Sequence, residues 1–112
     1  MSTIRQQKVE SLLKKELAVI FQKESRNLFG GAFITVTIIR ISPDLGYAKV
    51  YLSFFGAADK EKLFKKVNSY TSKIRWYLGL QVGKQLRIVP ELHFFEDDSL
   101  DYAKKIDDLL KE

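Results

Sequence analysis

Thr35 to Phe55, TVTIIRISPDLGYAKVYLSFF, leaves few choices of local structure. Its second half alternates. Ala48, Val50, Leu52 and Phe54 fall on one face, Tyr47, Lys49, Tyr51 and Ser53 on the other. A period of two in β-branched and aromatic residues reads as a half-buried strand. Ser-Pro-Asp-Leu-Gly (Ser42–Gly46) precedes it, where Pro43 removes a donor and Asp44 and Gly46 supply turn chemistry. The first half, about Ala32 to Ile41, is almost continuously apolar and reads as a strand covered in part on both faces. A lone hairpin is not stable in water, so the rest of the chain must cover its apolar face.

Helical patterns supply that cover. Over residues 3–28, Val9, Leu13, Leu17, Ile20 and Leu28 share one face, Thr3 and Gln6 can form a capping box, and Gly30-Gly31 stops the helix. Asp59 is an N-cap candidate for a second helix whose stripe runs Leu63, Val67, Tyr70, Ile74, Leu78. Glycines at 79 and 83 break the stretch from Leu80 to Leu86 into a short helix or turn. Arg87 to Phe95 reads as a third strand, with Pro90 at its start, an edge or a bulge, and with Leu92 and Phe94 facing away from Glu91, His93 and Phe95. Glu96-Asp97-Asp98-Ser99 then caps a last helix with Tyr102, Ile106 and Leu109 on one face. The expectation is a single α+β domain over residues 1–112: a three-stranded sheet with helices on one face, in the order α-β-β-α-(short α)-β-α. An acidic C-terminal helix over 99–112 belongs to the same domain.

Charge points to a partner. The net charge of +5 conceals a division: residues 1–90 hold 16 Lys and Arg against 6 Asp and Glu, residues 91–112 only 3 against 8. A basic body with an acidic tail suits a polyanion, and the plainer alternative is an ordinary solvated surface. The second helix sets Lys62, Lys65, Lys66, Ser69, Lys73 and Trp76 opposite its apolar stripe. Lysines neutralise phosphates and an indole can stack a base, although a solvated helix with a packed tryptophan fits the periodicity equally well.

Other classes fare poorly. There are no cysteines, which removes disulfides, thiolate metal sites and a cysteine nucleophile. The one histidine, His93, shares a face with Glu91 but has no third catalytic group or ligand-spaced partner. The acidic run at 96–98 suits a helix N-terminus better than a cation site. No phosphate loop, dinucleotide fingerprint or nucleophile elbow is present. No apolar run approaches the roughly 20 residues of a membrane span and no signal-peptide core follows Met1, so the expectation is a soluble cytoplasmic protein.

SPDLGYAKVYLSF, RIVPELHFFEDDS and Ile74-Arg75 followed by Leu78-Gly79 resemble the signature segments of the bacterial ribosome-binding factor A family. The opening KVESLLKKELAVIFQKE and the closing YAKKIDDLL fit the same pattern, so the resemblance covers nearly the whole chain. It implies a single type II KH-like domain and a non-enzymatic assembly factor. Such a factor binds the small ribosomal subunit and its 16S rRNA, in rRNA maturation and cold adaptation, with no cofactor and as a monomer when free. KH domains ordinarily clamp nucleic acid with a Gly-x-x-Gly loop. This family has instead a kink, typically Ala-x-Gly, before the Ile-Arg pair. Tyr70, Thr71 and Ser72 stand at those positions. Arg-Asn-Leu-Phe-Gly-Gly also replaces the family's proline-containing turn after the first helix, and Gly79 to Leu86 is about two residues longer than the family pattern.

The resulting RNA-binding candidates are Lys65, Lys66, Lys73, Arg75, Trp76, Lys84 and Arg87, supported by Arg5 and Lys8. Their expected role is to neutralise and position phosphates rather than to read bases. Arg75 also flanks the core stripe, which gives it a competing structural role. Two further classes stay open: a general single-stranded RNA-binding module without a ribosomal role, and a protein-interaction module using strand edges and the acidic last helix.

Overall fold

The computed structural model describes residues 3–55 and 59–97. Helix α1 (Ile4–Leu28) leads into strands β1 (Phe33–Ile41) and β2 (Tyr47–Phe55), then helices α2 (Lys60–Ser69) and α3 (Thr71–Val82), then strand β3 (Glu91–Glu96). β2 is the middle strand, antiparallel to β1 and parallel to β3. The helices cover one face of the sheet, α1 over β1 and α2 and α3 toward β3. The expected order holds through β3. The expected last helix, and with it the Tyr102–Ile106–Leu109 face, lies outside the described residues.

Alternation in β2 becomes burial. Ala48, Val50 and Leu52 are completely buried, as are Leu13 and Leu17 of α1 and Ile74, Leu78 and Val82 of α3. β1 behaves differently from the reading of a strand covered on both faces. Its register against β2 shifts between Val36 and Ile38, so Thr37 is an extra residue. Ile34 and Val36 point inward before this bulge, and Ile39 and Ile41 after it. The apolar run is continuous because the bulge resets its phase, and Phe33 and Ile38 remain exposed on the outside.

Helix α1 is tied to β1 at both ends. The capping box forms: Thr3 Oγ1 accepts from the Gln6 N–H, and Gln6 Oε1 accepts from the Thr3 N–H. The buried Gln6 side chain then donates from Nε2 to the Ile41 carbonyl at 3.0 Å, while Glu10 Oε2 accepts from the Ile41 N–H at 2.9 Å. At the other end the Ser25 hydroxyl donates to the Ala32 carbonyl at 2.9 Å. Gly30 and Gly31 make the reversal between helix and strand at φ values of 61° and 82°, open to glycine at little cost.

The stripe from Leu63 to Leu78 belongs to two helices rather than one. Tyr70 breaks them at φ −102°, ψ 13°, and its N–H reaches Val67 in a tight turn. Hydroxyls of Ser69 and Thr71 donate to the Lys66 and Asn68 carbonyls in the last turn of α2. One near-helical residue barely shifts the phase, so Val67 and Ile74 are both buried and periodicity does not reveal the break. The Tyr70 ring packs edge-on against Phe29 at 6.0 Å, a role a small residue could not fill. The boundary between the two helices therefore falls at Tyr70, not at Gly79. α3 runs on to Val82, and Gln85 and Leu86 both turn back to the Val82 carbonyl. Strand β3 begins only at Glu91, whose N–H donates to the Gly46 carbonyl at 2.9 Å; Pro90 stands just before it, at a position whose missing N–H costs the ladder no bond.

The Ser42–Gly46 turn is held by Asp44, whose Oδ1 accepts from the Ser42 hydroxyl at 2.6 Å and the Gly46 N–H at 3.0 Å. These bonds, the Ser42 one first, lower the Asp44 pKa. A lowered folded-state pKa stabilises the turn fully above the ordinary carboxylate range, and the benefit disappears as pH falls through the lowered value. Protection of the Gly46 amide from hydrogen exchange should decrease across that acidic range, and Asp44→Ala should abolish the pH dependence. Separately, Gln6→Ala strands the Ile41 carbonyl and should cost about 1–3 kcal/mol in urea unfolding.

Candidate nucleic-acid interface

The helix break opens a groove. One wall is α3 with the end of α2: Asn68, Thr71, Ser72, Arg75, Trp76, Gly79 and Leu80. The other is the free edge of β3, Glu91 to Phe95, with Val89 at the end. Only β2 pairs with β3, so among the described strands its other edge is open to the groove. At the groove's upper end α3 begins with no side-chain cap, and the free N–H groups of a first helical turn attract anions. The hydroxyls of Thr71 and Ser72 and the ammonium of Lys73 belong to that turn.

The indole of Trp76 is 61% exposed and leans on Tyr77, with ring centroids 5.3 Å apart. It lines the groove, where an exposed ring offers a surface on which a planar group can stack. Leu80, one turn on, is 63% exposed, so the pair is an apolar strip on a helix that is otherwise polar outside. Gly79 faces the chain before β3, and a Cβ there would meet Val89 Cγ2 at an ordinary contact distance of 3.5 Å.

Arg75 holds the two walls together. Its Nε donates to the Pro90 carbonyl at 3.1 Å and its Nη2 to the Val89 carbonyl at 2.7 Å. Two of the five guanidinium N–H groups are thus committed to the backbone, leaving the others to face an anion. The structural role that its position beside the core stripe suggested is visible as these two bonds.

Of the RNA-binding candidates named from the sequence, only Arg75 and Trp76 line the groove. Lys65, Lys66 and Lys73 are exposed on α2 and the first turn of α3, around the break. Lys65 reaches Glu61, one turn before it, at 3.6 Å, a solvent-exposed pair that weakly offsets its charge. Lys84 and Arg87 are exposed in the connection from α3 to β3. Arg5 and Lys8 are exposed on the first turns of α1 and do not line the groove.

The sequence reading did not include the β3 wall. His93 stacks on Tyr47 with centroids 4.2 Å apart. Its Nε2 lies 3.2 Å from Glu91 Oε1, yet the geometry is not that of a hydrogen bond. Pro90 allowed a strand start, an edge or a bulge, and it stands directly before β3; that this edge stays open beside a helix follows only from the sheet order. Among the described residues no three His, Asp or Glu side chains gather as metal ligands. No helix there is long and apolar enough to cross a membrane.

An antiparallel strand pair extended by a parallel third strand, with two helices broken at one residue between the second and third, is a KH-like α+β fold. The crystal structure of Thermus thermophilus ribosome-binding factor A shares it, with a TM-score of 0.68 over 81% of this chain and 94% of that one at 23% identity. A homology model of the same Thermus factor, fitted into the cryo-EM map of a 30S–RbfA complex, gives 0.64 over 81% and 93% at 25% identity. The ribosome-binding factor A family model matches residues 5–110, and this chain belongs to that family. A relative from Cytophaga hutchinsonii, also a ribosome-binding factor A, is 49% identical over 110 residues, spanning 98% of this chain and 83% of the relative.

Loss of the Arg75 clamp should loosen the groove. Arg75→Ala should cost about 1–3 kcal/mol in chemical denaturation and shift the amide resonances from Val89 to Leu92. Arg75→Lys should restore only part of this, because an ammonium cannot span both carbonyls as the planar fork does.

Proposed function

We propose that this protein is a non-enzymatic assembly factor that binds the small ribosomal subunit through its 16S rRNA and promotes rRNA processing and subunit maturation. Family membership carries the reading, and the complex in which the Thermus relative was fitted supports the partner. The groove supplies a physical means. An uncapped helix start, surrounding lysines and an exposed indole suit a strand that offers phosphates on one side and bases on the other. The protein works as a cytoplasmic monomer when free, without cofactor, small-molecule substrate or membrane, and its action matters most in the cold, when misfolded rRNA rearranges slowly.

The open groove with its exposed Trp76 also favours a second reading, a general single-stranded RNA-binding module. Comparing affinity for isolated oligonucleotides with affinity for the small subunit separates the two. Tagged protein that co-sediments with free small subunits, but not with complete ribosomes, fits the first. Equal affinity for a short oligonucleotide fits the second.

Reversing Lys65, Lys66 and Lys73 to Glu should weaken binding to isolated small subunits. It should also flatten the slope of log affinity against log salt by about 2–3 units, at roughly 0.7–0.9 for each phosphate no longer neutralised. An unchanged slope would remove these lysines from the interface.

A further inference from the structure

The face of the sheet opposite the helices carries an ordered pattern of its own. Ile38, Tyr51 and Phe95 are partners in register and form an apolar row across all three strands, with the Tyr51 and Phe95 rings stacked at 5.4 Å. The next outward row is Arg40, Lys49 and His93. Arg40 and Lys49 stand directly opposite each other in an antiparallel pair, where like charges repel. Neither has a carboxylate partner among the described residues. An apolar row beside an uncompensated basic row suits an amphipathic, acidic occupant.

The chain leaves β3 at this point. The Asp97 N–H donates to the Leu52 carbonyl at 2.7 Å, and its carboxylate accepts from the Thr37 hydroxyl at 2.6 Å. Thr37 is the bulge residue of β1, beside Ile38. The end of β3 is therefore pinned across the sheet, next to the apolar row. Beyond it, residues 98–112 hold Tyr102, Ile106 and Leu109 at helical spacing, with Asp98, Asp101, Asp107, Asp108 and Glu112 against three lysines. Fifteen residues, if helical, span roughly 22 Å at about 1.5 Å each. Three strands are only about 10 Å across from first to last.

We propose that residues 98–112 pack over the outer face of the sheet, seating Tyr102, Ile106 and Leu109 on the Ile38–Tyr51–Phe95 row and carboxylates against Arg40 and Lys49. The acidic segment then neutralises the like-charged pair and closes this face to nucleic acid, leaving RNA to the groove on the β3 edge. The inference does not depend on which RNA the groove takes.

Because residues 1–112 hold no cysteine, Lys104→Cys on this 112-residue chain gives a single site for a nitroxide label, off the apolar stripe. With the label oxidised, the amide resonances of Ile38, Lys49, Tyr51 and Phe95 should lose most of their intensity, while those of α2 and α3 keep theirs. Adding Ile106→Asp and Leu109→Asp should restore the lost intensity without shifting the buried amides of β2, and Arg40→Glu with Lys49→Glu should restore it in part. Loss confined to the cleft that Lys14 and Ser11 of α1 form with Phe33 and Thr35 of β1 would overturn the proposal, as would no loss at all. Loss seen on an isotope-labelled, spin-free partner in a mixed sample would assign the face to a second copy and overturn it too. So would an RNA oligonucleotide that shifts Tyr51 and Phe95 in a protein whose label reports no proximity.

Discussion

The inner side of β2 must leave water, and the other elements are arranged to achieve that. Ala48, Val50 and Leu52 have no exposed surface because α1 closes over β1 on one side and α3 closes toward β3 on the other. As the middle strand, β2 also sets the registers of both its neighbours. Burying a large aliphatic side chain is worth about 1.5–3 kcal/mol, so the cluster around this strand is the main source of stability. Among the described residues the buried apolar side chains form one contiguous core.

From β2 the structural dependence runs outward to the groove. Leu45 takes a left-handed conformation at φ 63°, unusual for a side chain of its size, and its half-buried side chain packs on the core in return. That turn delivers the Gly46 carbonyl to the Glu91 N–H, which fixes where β3 starts. The start of β3 presents the Val89 and Pro90 carbonyls to Arg75, and Arg75 holds α3 at the distance that makes the groove. The hairpin turn contributes little charge to the candidate interface, yet it determines the position of one wall.

Elements with a strong period were legible. The α1 capping box, the β2 alternation and the Ile74–Leu78 core positions all follow from spacing, because burial at these points depends on one helix or strand meeting one surface. Two features were not. The Tyr70 break is hidden from the periodicity because a single near-helical residue leaves the stripe in phase; only the family resemblance put a kink at Tyr70 to Ser72, and there the Tyr70 ring packs on Phe29 where the family pattern has a small residue. The Thr37 bulge is hidden because an apolar run through a phase reset looks like a strand covered on both sides. Of the candidate site, Arg75 and Trp76 could be found from the sequence as a cation and a ring beside an apolar stripe. The β3 wall could not, since it depends on which strand ends up at the edge.

A sheet of three strands has two rims, and an exposed rim invites another chain to add a strand. The ties between α1 and β1 have a consequence there. Gln6 and Glu10 occupy the carbonyl and amide of Ile41 that would otherwise face outward, and the Thr37 bulge interrupts the regular ladder midway along the same strand. No long, flat run of free backbone groups is left on that side for an incoming strand to follow. The contacts that anchor the first helix thereby also make this rim a poor template for fibrillar self-pairing.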